Sequence, residues 1–299
     1  MVNRALAVIA VAVFSIAPTS SASRTQVVLL GTGTPGPDPE HSGPATAIAI
    51  EDRAYLVDFG PGIVRRASTA AARGVPAVRP VNLKTAFVTH LHSDHTVGYA
   101  DLIFTPWVVG RQDALHVYGP HGLKAMTDHL IRAWDEDIAI RTKGLEQAPP
   151  LRVVAHEIRP GVVFSDDLVE VTAFPVLHGE WKEAYGYRFK TPDRTIVISG
   201  DARPSPGLLA ACNHCDILIH EAYSPQSQVP MPDWPKYRAQ YHTSTLELAE
   251  IARQTQPGLL ILYHLTGAQN RRPPDEQYLN EVHQGWGGKV VVGRDLDVY

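Results

Sequence analysis

The segment 89–95 constrains this chain most, because it places three histidines and one aspartate within six residues. It directly follows the apolar run 85–88, which predicts a buried strand. A strand that ends there would deliver the four side chains onto one tight loop at the edge of a sheet. Imidazole nitrogen and carboxylate oxygen are natural ligands of zinc, and four of them so close together suit two adjacent ions better than one. The alternative is a solvated histidine-rich turn, since a motif match needs its structural context.

The composition bounds the size of the fold and its partners. The chain has 299 residues, of which 44% are hydrophobic, which predicts one large domain or two at most. The formal net charge is -4, and the basic pairs Arg65-Arg66 and Arg271-Arg272 are isolated. This balance does not indicate a surface that binds a polyanion.

Residues 1–23 have the layout of a secretory signal peptide. A short basic start precedes an apolar stretch over residues 5–17, Pro18 breaks that stretch, and small polar residues follow. We therefore expect a cleaved leader over 1–23, one mature domain over 24–299, and a periplasmic or secreted protein. A retained N-terminal anchor is the alternative. The apolar stretch is short for a membrane span, so we expect no stable span after cleavage.

The two cysteines, Cys212 and Cys215, are spaced as Cys-x-x-Cys. In an exported chain this spacing allows a short-loop disulfide. It also allows a redox or metal-binding role, although one such pair without a second is a weak zinc signal. A structural pair at the connection between a helix and a strand is the reading we prefer.

Short apolar strands, punctuated by turns and helices, make up both halves of the chain. Continuous apolar runs such as 216–219 and 259–262 are typical of strands buried on both faces. A helix over 246–254 should begin at a capping box, because Ser244 precedes Glu247 by three residues. We read the polar stretch 135–150 as a loop. The alternation predicts two sheets packed face to face with helices outside.

Three further metal-competent residues lie just past apolar strands. They are His178, after the run 171–174, Asp201, after 196–200, and His264, after 259–263. Strand ends are rigid, so residues far apart in sequence converge there at little ordering cost. Together with the first loop, the sequence predicts one convergent metal site.

This set of motifs resembles the metallo-β-lactamase superfamily over essentially the whole mature chain. The resemblance implies a mixed α/β fold of four layers, an αββα sandwich, and a site for two Zn²⁺ ions. His90, His92 and His178 would bind the first zinc, whereas Asp94, His95 and His264 would bind the second. Asp201 would bridge the two ions, and a hydroxide shared between them would be the nucleophile.

Within the superfamily, the chain looks most like the ribonuclease Z and arylsulfatase-like branch. The glycine loop 30–35 and the motif 56–60, whose Asp58 would orient the metal loop, match that branch. So do the segments 220–222 and 242–244. By this resemblance His242 would assist the leaving group and Glu221 would support it, and Asp94 also counts among the expected catalytic residues. For His220, which belongs to the matching segment 220–222, the alternative is a purely structural role.

Ribonuclease Z grips transfer RNA with a long arm, and this chain departs from that pattern. The corresponding connection, residues 190–194, reads as a tight turn, and no basic arm replaces the missing one. Together with the predicted export, this argues for a small-molecule anionic ester as substrate and against nucleic acid. A homodimer is left open.

The leading hypothesis is therefore an exported dinuclear zinc hydrolase of a phosphodiester or an aryl sulfate. Hydrolysis of a lactam or lactone ring and ribonuclease Z-like RNA cleavage are the alternatives among enzymes, and a zinc-binding scaffold is the alternative outside them. Four aromatic residues near the expected loops are candidates for the substrate pocket, with core packing as an equal alternative: Trp107, Trp181, Tyr223 and Trp234. Arg203 is a candidate anion contact, although a surface charge is the interpretation we prefer. Ser93 should set the turn of the metal loop.

Overall fold

The fold is an αββα sandwich, which confirms the predicted class. A computed structural model describes residues 24–227, 233–266 and 272–299. The expected signal peptide, at 1–23, lies outside the described residues, as does Arg271. Within the part that is described, no helix combines the length and the apolar character that crossing a bilayer requires.

The N-terminal half forms a six-stranded sheet in which sequence order equals spatial order. Its strands are β1 (Gln26–Gly31), β2 (Ala45–Ile50), β3 (Arg53–Val57), β4 (Leu83–Phe87), β5 (Leu115–Gly119) and β6 (Val153–Glu157). The first three pair antiparallel, and β3 to β6 pair parallel. Because β4 runs parallel to β3 and β5, its carboxyl end delivers the loop that begins at Thr89.

The C-terminal half forms a seven-stranded sheet with the order β13-β12-β11-β10-β9-β8-β7. Its strands are β7 (Gly161–Ser165), β8 (Glu170–Pro175), β9 (Tyr185–Lys190), β10 (Thr195–Ile198), β11 (Ile217–Tyr223), β12 (Leu259–Thr266) and β13 (Val290–Val292). The β9–β10 connection closes with a hydrogen bond from Thr191 N to Arg194 O, 3.0 Å long. It is the predicted tight turn.

Helices cover the outer faces of both sheets. In chain order they are α1 (Ile63–Ala72), α2 (Ser93–Thr96), α3 (Tyr99–Val108), α4 (Leu123–Ala133), α5 (Asp135–Lys143), α6 (Pro206–Ala211), α7 (Trp234–Tyr241), α8 (Thr245–Thr255) and α9 (Asp275–His283). Two short 3₁₀ turns, Pro76–Val78 and Pro80–Asn82, precede β4. The Ser244–Glu247 capping box at the start of α8 is present as predicted, with both of its reciprocal bonds.

The sheets pack against each other through a buried apolar layer. From the first sheet it contains Val27, Ile48 and Phe87, and from the second Tyr187, Phe189 and Ile219. Phe87 packs edge-on against Phe189, with ring centroids 5.6 Å apart. Since β4 and β9 are fixed to each other in this way, the loops at their ends hold a constant relative position.

The sequence reading was wrong at several elements. The stretch 135–150, read as a loop, contains the helix α5, and β7 and α7 were not predicted. The last segment, read as a strand beside 289–292, instead bridges to the other sheet, with Val298 opposite Val28.

The two cysteines form a disulfide that is buried in the apolar core under α6 and α8. Cys212 follows α6, and Cys215 lies two residues before β11. Of the readings left open, the structure shows the disulfide at the helix–strand connection.

Candidate metal centre

The first cluster of metal-competent side chains contains His90, His92, His178 and Asp201. His90 and His92 belong to the loop after β4, and His178 lies three residues past β8. His90 Nε2 and His92 Nδ1 are 2.9 Å apart, and His178 Nε2 lies 3.2 Å from the same His92 nitrogen. Three ring nitrogens therefore converge on one point.

The second cluster contains Asp94, His95 and His264. His264 Nε2 lies 3.1 Å from Asp94 Oδ2, and His95 Nε2 lies 3.5 Å from that oxygen. A bulge turns His264 toward the others, because the β11–β12 register skips from the Glu221–Tyr263 pair to Ala222–Leu265 and leaves His264 unpaired. Its φ of 45° lies in the left-handed region, which non-glycine residues rarely adopt.

Asp201 lies between the two clusters. Its Oδ1 is 3.3 Å from His95 Nε2 and 3.5 Å from His264 Nε2, while its Oδ2 faces His178 Nε2 at 3.9 Å. Gly200, at φ 63°, turns the chain just past β10 so that the aspartate points between the sheets. The structure thus brings all seven sequence-predicted ligand residues together, with Asp201 in the position expected of a bridge.

In three of these histidines, the ring nitrogen that faces away from the cluster makes a hydrogen bond. His95 Nδ1 donates to Asp58 Oδ2 at 2.8 Å, and His178 Nδ1 donates to the carbonyl of Tyr241 at 2.8 Å. His90 Nδ1 lies 3.0 Å from Thr89 Oγ1, which itself donates to Asp58. Such contacts fix the tautomer and orient the inner nitrogen, as around many metal sites.

Burial keeps the first cluster neutral. It lowers the pKa of His90 well below the ordinary range and that of His178 to about 3. In the second cluster burial opposes charge, but the Asp201 and Asp58 carboxylates raise the pKa of His95. Burial likewise opposes the ionisation of Asp201, yet His264 and His95 hold its pKa well below the usual value. The first cluster therefore offers neutral imidazoles, which are the form that binds a cation, whereas in the second cluster a bound cation would take the place of the proton on His95.

The donor set fits a divalent metal. Among the described residues, His95 Nε2 and Asp201 Oδ1 are buried and have no hydrogen-bond partner. An unpaired buried polar atom costs about 1–3 kcal/mol, and a cation would satisfy both. A cation would also resolve the convergence of the three ring nitrogens at His92, because a single proton cannot be shared among all of them.

His242 and Glu221 form a buried pair beside the clusters. His242 Nδ1 donates to Glu221 Oε1 at 3.2 Å, and the amide of Thr243 donates to the same oxygen at 3.0 Å. Burial disfavours the imidazolium, but the Glu221 carboxylate raises the pKa of His242. Since Nδ1 is occupied, Nε2 remains available for a substrate. The neighbouring His220 is fully buried and donates to the Glu221 carbonyl at 2.6 Å, which agrees with a structural role.

A cavity of about 310 Å³ opens above the two clusters. Asp94, Asp201, His242 and His264 line it, and its walls are the loop after β1 and the helix α7. This is at the small end of the range for ligand sites, and several polar groups converge in it. Ser93, predicted to set the turn of the loop, begins α2 and also lines this cavity.

Not all of the residues predicted for the pocket contribute to it. Trp234 lines the cavity, and Trp181 donates to His92 Nε2 at 2.9 Å. By contrast, Trp107 is buried and donates to the Pro149 carbonyl, and Tyr223 stacks under the Arg238 guanidinium. Arg203 is exposed and does not line the cavity, which agrees with the preferred interpretation of this residue as a surface charge.

Asp295 is a structural support that sequence reasoning missed. Its carboxylate accepts from the amide and the hydroxyl of Thr32, at 2.9 and 2.8 Å, and from the amide of Ser42 at 2.8 Å. It thereby fixes the loop that forms one cavity wall. An aspartate in a C-terminal turn gives no distinctive signal in a sequence. The cavity-lining Tyr237 was also missed, because α7 was not predicted.

Comparison with known proteins agrees with this geometry. The family described as "Beta-lactamase superfamily domain" matches residues 53–265. The chain is 31% identical over 281 residues to ribonuclease Z of Mycobacterium marinum. This alignment covers 91% of this chain and 96% of that protein.

Solved structures share the fold at lower identity. The metallo-β-lactamase fold protein YhfI from Bacillus subtilis has a TM-score of 0.70 at 18% identity and covers 92% of this chain and 98% of its own. The short form of human tRNase Z has a TM-score of 0.65 at 22% identity. This match covers 92% of this chain and 98% of the human chain.

The sequence-based expectation that nucleic acid is not a partner of this chain is wrong. It rested on the short β9–β10 turn, the predicted export and the negative net charge. A relative that aligns over 91% of this chain is nevertheless named ribonuclease Z. Net charge describes the whole molecule and not the surface around one cavity, so it is a poor guide to a single site.

Fold, site and relatives lead to the same family. The family match covers most of the sandwich, and the histidine–aspartate clusters lie within or at the border of the matched residues. The chain therefore belongs to the metallo-β-lactamase superfamily and is a metal-dependent hydrolase.

Proposed function

We propose that this chain is an RNA phosphodiesterase of the ribonuclease Z type that works with two zinc ions. The observation that carries the proposal is the 31% identity to a bacterial ribonuclease Z over 91% of the chain. The buried His242–Glu221 pair beside the metal clusters supports it. Aryl sulfate hydrolysis has no comparable support.

The seven converging side chains would hold the metal. The first ion would bind His90, His92 and His178, the second Asp94, His95 and His264, and Asp201 would contact both. Bound cations of this kind supply Lewis-acid stabilisation of the negative charge that builds up on a phosphodiester. The outer hydrogen bonds from Asp58 and the Tyr241 carbonyl keep the ligands oriented.

His242 would act as the general acid. Glu221 holds its Nδ1 and favours the protonated ring, so Nε2 can give a proton to the oxygen that leaves when the P–O bond breaks. The cavity of about 310 Å³ is small, so we place the cleaved bond in an unpaired stretch of RNA. Export remains a prediction that rests on residues 1–23, and it would place such an enzyme outside the cytoplasm.

To test this, the zinc-loaded full chain would be assayed for hydrolysis of two RNAs, a precursor transfer RNA and an unstructured RNA. The small esters bis(p-nitrophenyl) phosphate and p-nitrophenyl sulfate would serve for comparison. We expect RNA cleavage, and we expect His242→Ala to lower its rate by about 10²- to 10⁴-fold with unchanged metal content. His129→Ala, an exposed histidine on α4, is the matched control and should retain the wild-type rate. Turnover of the sulfate ester without RNA cleavage would refute the proposal.

A further inference from the structure

Helix α7 carries a stack of three aromatic rings beside the metal clusters. Trp234, Tyr237 and Tyr241 are spaced by three and four residues, so they share one face of the helix. The rings of Trp234 and Tyr237 lie 5.1 Å apart with 13° between their planes, and those of Tyr237 and Tyr241 lie 4.5 Å apart with 18°. Tyr237, in the middle, is therefore held on both sides.

The helix itself is well anchored. Arg238 is buried, stacks on Tyr223 and Trp234, and donates to the carbonyls of Ser224 and Ser227 at 3.3 and 3.0 Å. At the other end, Gly179 N donates to the Gln240 carbonyl at 3.0 Å. A group on Tyr237 is thus held in a fixed position relative to the clusters.

Tyr237 lines the same cavity as Asp94, Asp201 and His242. Its ring centroid lies 5.6 Å from that of His242, and the residue is 36% exposed. The hydroxyl makes no hydrogen bond within the described residues. The pKa of a free phenol is about 10, and burial raises that of Tyr237, so the hydroxyl keeps its proton at neutral pH.

We infer that Tyr237 is a further catalytic residue, whose hydroxyl donates a hydrogen bond to a non-bridging oxygen of the phosphoryl group under attack. This inference rests on the proposed phosphodiesterase function. The role differs from that of His242, which gives its proton to the leaving oxygen. A donor held rigidly toward developing negative charge lowers the barrier without reorganisation during the reaction.

Tyr237→Phe tests this cleanly, because the ring stack is kept and only the hydroxyl is lost. We expect kcat/KM to fall by about 10-fold or more, less than for a fully buried oxyanion donor because this side chain is partly exposed. Metal content and melting temperature should not change. The matched control is Tyr118→Phe, which removes the hydroxyl of a half-buried, stacked tyrosine outside the cavity and should retain full activity.

The dependence on the leaving group separates a catalytic role from a structural one. With aryl phosphodiesters of graded leaving-group pKa, the loss in Tyr237→Phe should stay constant, whereas that in His242→Ala should shrink as the leaving group improves. Equal kcat/KM for Tyr237→Phe and wild type would overturn the inference. If RNA is not cleaved but the aryl diesters are, the proposed function fails, and the same comparison still decides the role of Tyr237.

Binding of inorganic phosphate gives a second measurement that does not depend on turnover. Calorimetric titration of the zinc-loaded protein should show weaker phosphate binding by Tyr237→Phe, by about fivefold or more. An unchanged phosphate affinity together with an unchanged kcat/KM leaves no role for the hydroxyl and refutes the inference.

Discussion

At the scale of single residues, Asp58 shows how a side chain outside the metal clusters determines their geometry. Its Oδ1 accepts from the amide of Thr89 at 2.8 Å, and its Oδ2 accepts from His95 Nδ1 at 2.8 Å. One carboxylate therefore fixes both the start of the metal loop and the ring orientation of His95. Asp58 itself has a φ of 60°, a strained conformation of a kind that persists only when its surroundings impose it.

Asp58→Asn should weaken metal binding while the chain remains folded. The amide has nearly the same shape, but it carries no charge and offers an NH₂ group where the carboxylate accepts on both sides. We expect zinc affinity to fall by about 10- to 100-fold, as for other outer partners of metal ligands. Titration against a competing chromophoric chelator would measure it.

Asp52→Asn is the control for this substitution, because Asp52 lies in the exposed turn between β2 and β3. It makes the same chemical change far from the clusters and should leave the affinity at the wild-type value. If Asp58→Asn bound zinc as tightly as this control, the orienting role of Asp58 would be excluded.

At the scale of elements, close backbone crossings bring the loops together. Gly60, three residues past β3, packs against two other segments. A Cβ there would lie 2.4 Å from the Gly43 carbonyl carbon and 2.6 Å from the Asp94 carbonyl oxygen. Main-chain bonds close the same crossing, from Gly60 N to Pro44 O and from Phe59 N to His95 O, each 3.0 Å long. The metal loop therefore rests directly on the glycine.

We expect Gly60→Ala to lower the free energy of unfolding by about 1–3 kcal/mol, the usual cost of overpacking. The added methyl group would also displace the Asp94 carbonyl, so zinc content after dialysis should fall. Urea unfolding and metal analysis would measure both. Gly287→Ala is the matched control, since its Cβ would meet no atom within 4 Å. Equal stability of the two variants would contradict the steric argument.

The elements also show what a sequence can predict. Buried strands such as β12 and the ligands near their carboxyl ends were predictable, because a short continuous apolar run between turns is typical of a buried strand. The helix α5 was not predictable, because none of its residues is buried and its stability comes from local pairs such as Arg141 with Asp137, 3.0 Å apart. The polar α7 buries only Arg238 and therefore also lacks an apolar periodicity, and Tyr237 was missed with this helix.

At the scale of the whole molecule, the clusters draw on both halves of the chain. His90, His92, Asp94 and His95 follow β4 of the six-stranded sheet, whereas His178, Asp201 and His264 come from β8, β10 and β12 of the seven-stranded sheet. The sequence could place each ligand at a strand end, but it could not show that the sheets face each other with those ends adjacent. That depends on long-range packing between residues such as Phe87 and Phe189.

Metal binding should therefore hold the two sheets together, and removing the metal should destabilise the whole sandwich. A ligand that binds only the folded state adds about 2.7 kcal/mol at a free concentration 100 times its Kd. We expect chelation to lower the melting temperature of the wild type by several degrees. Asp201→Asn, which removes the charge between the clusters, should lose most of this difference, whereas the exposed His129→Ala should keep it. Each cluster takes ligands from both sheets, so the ligands of one sheet alone would leave it incomplete. Identical melting curves for zinc-loaded and chelated wild type would therefore mean that zinc does not link the two sheets.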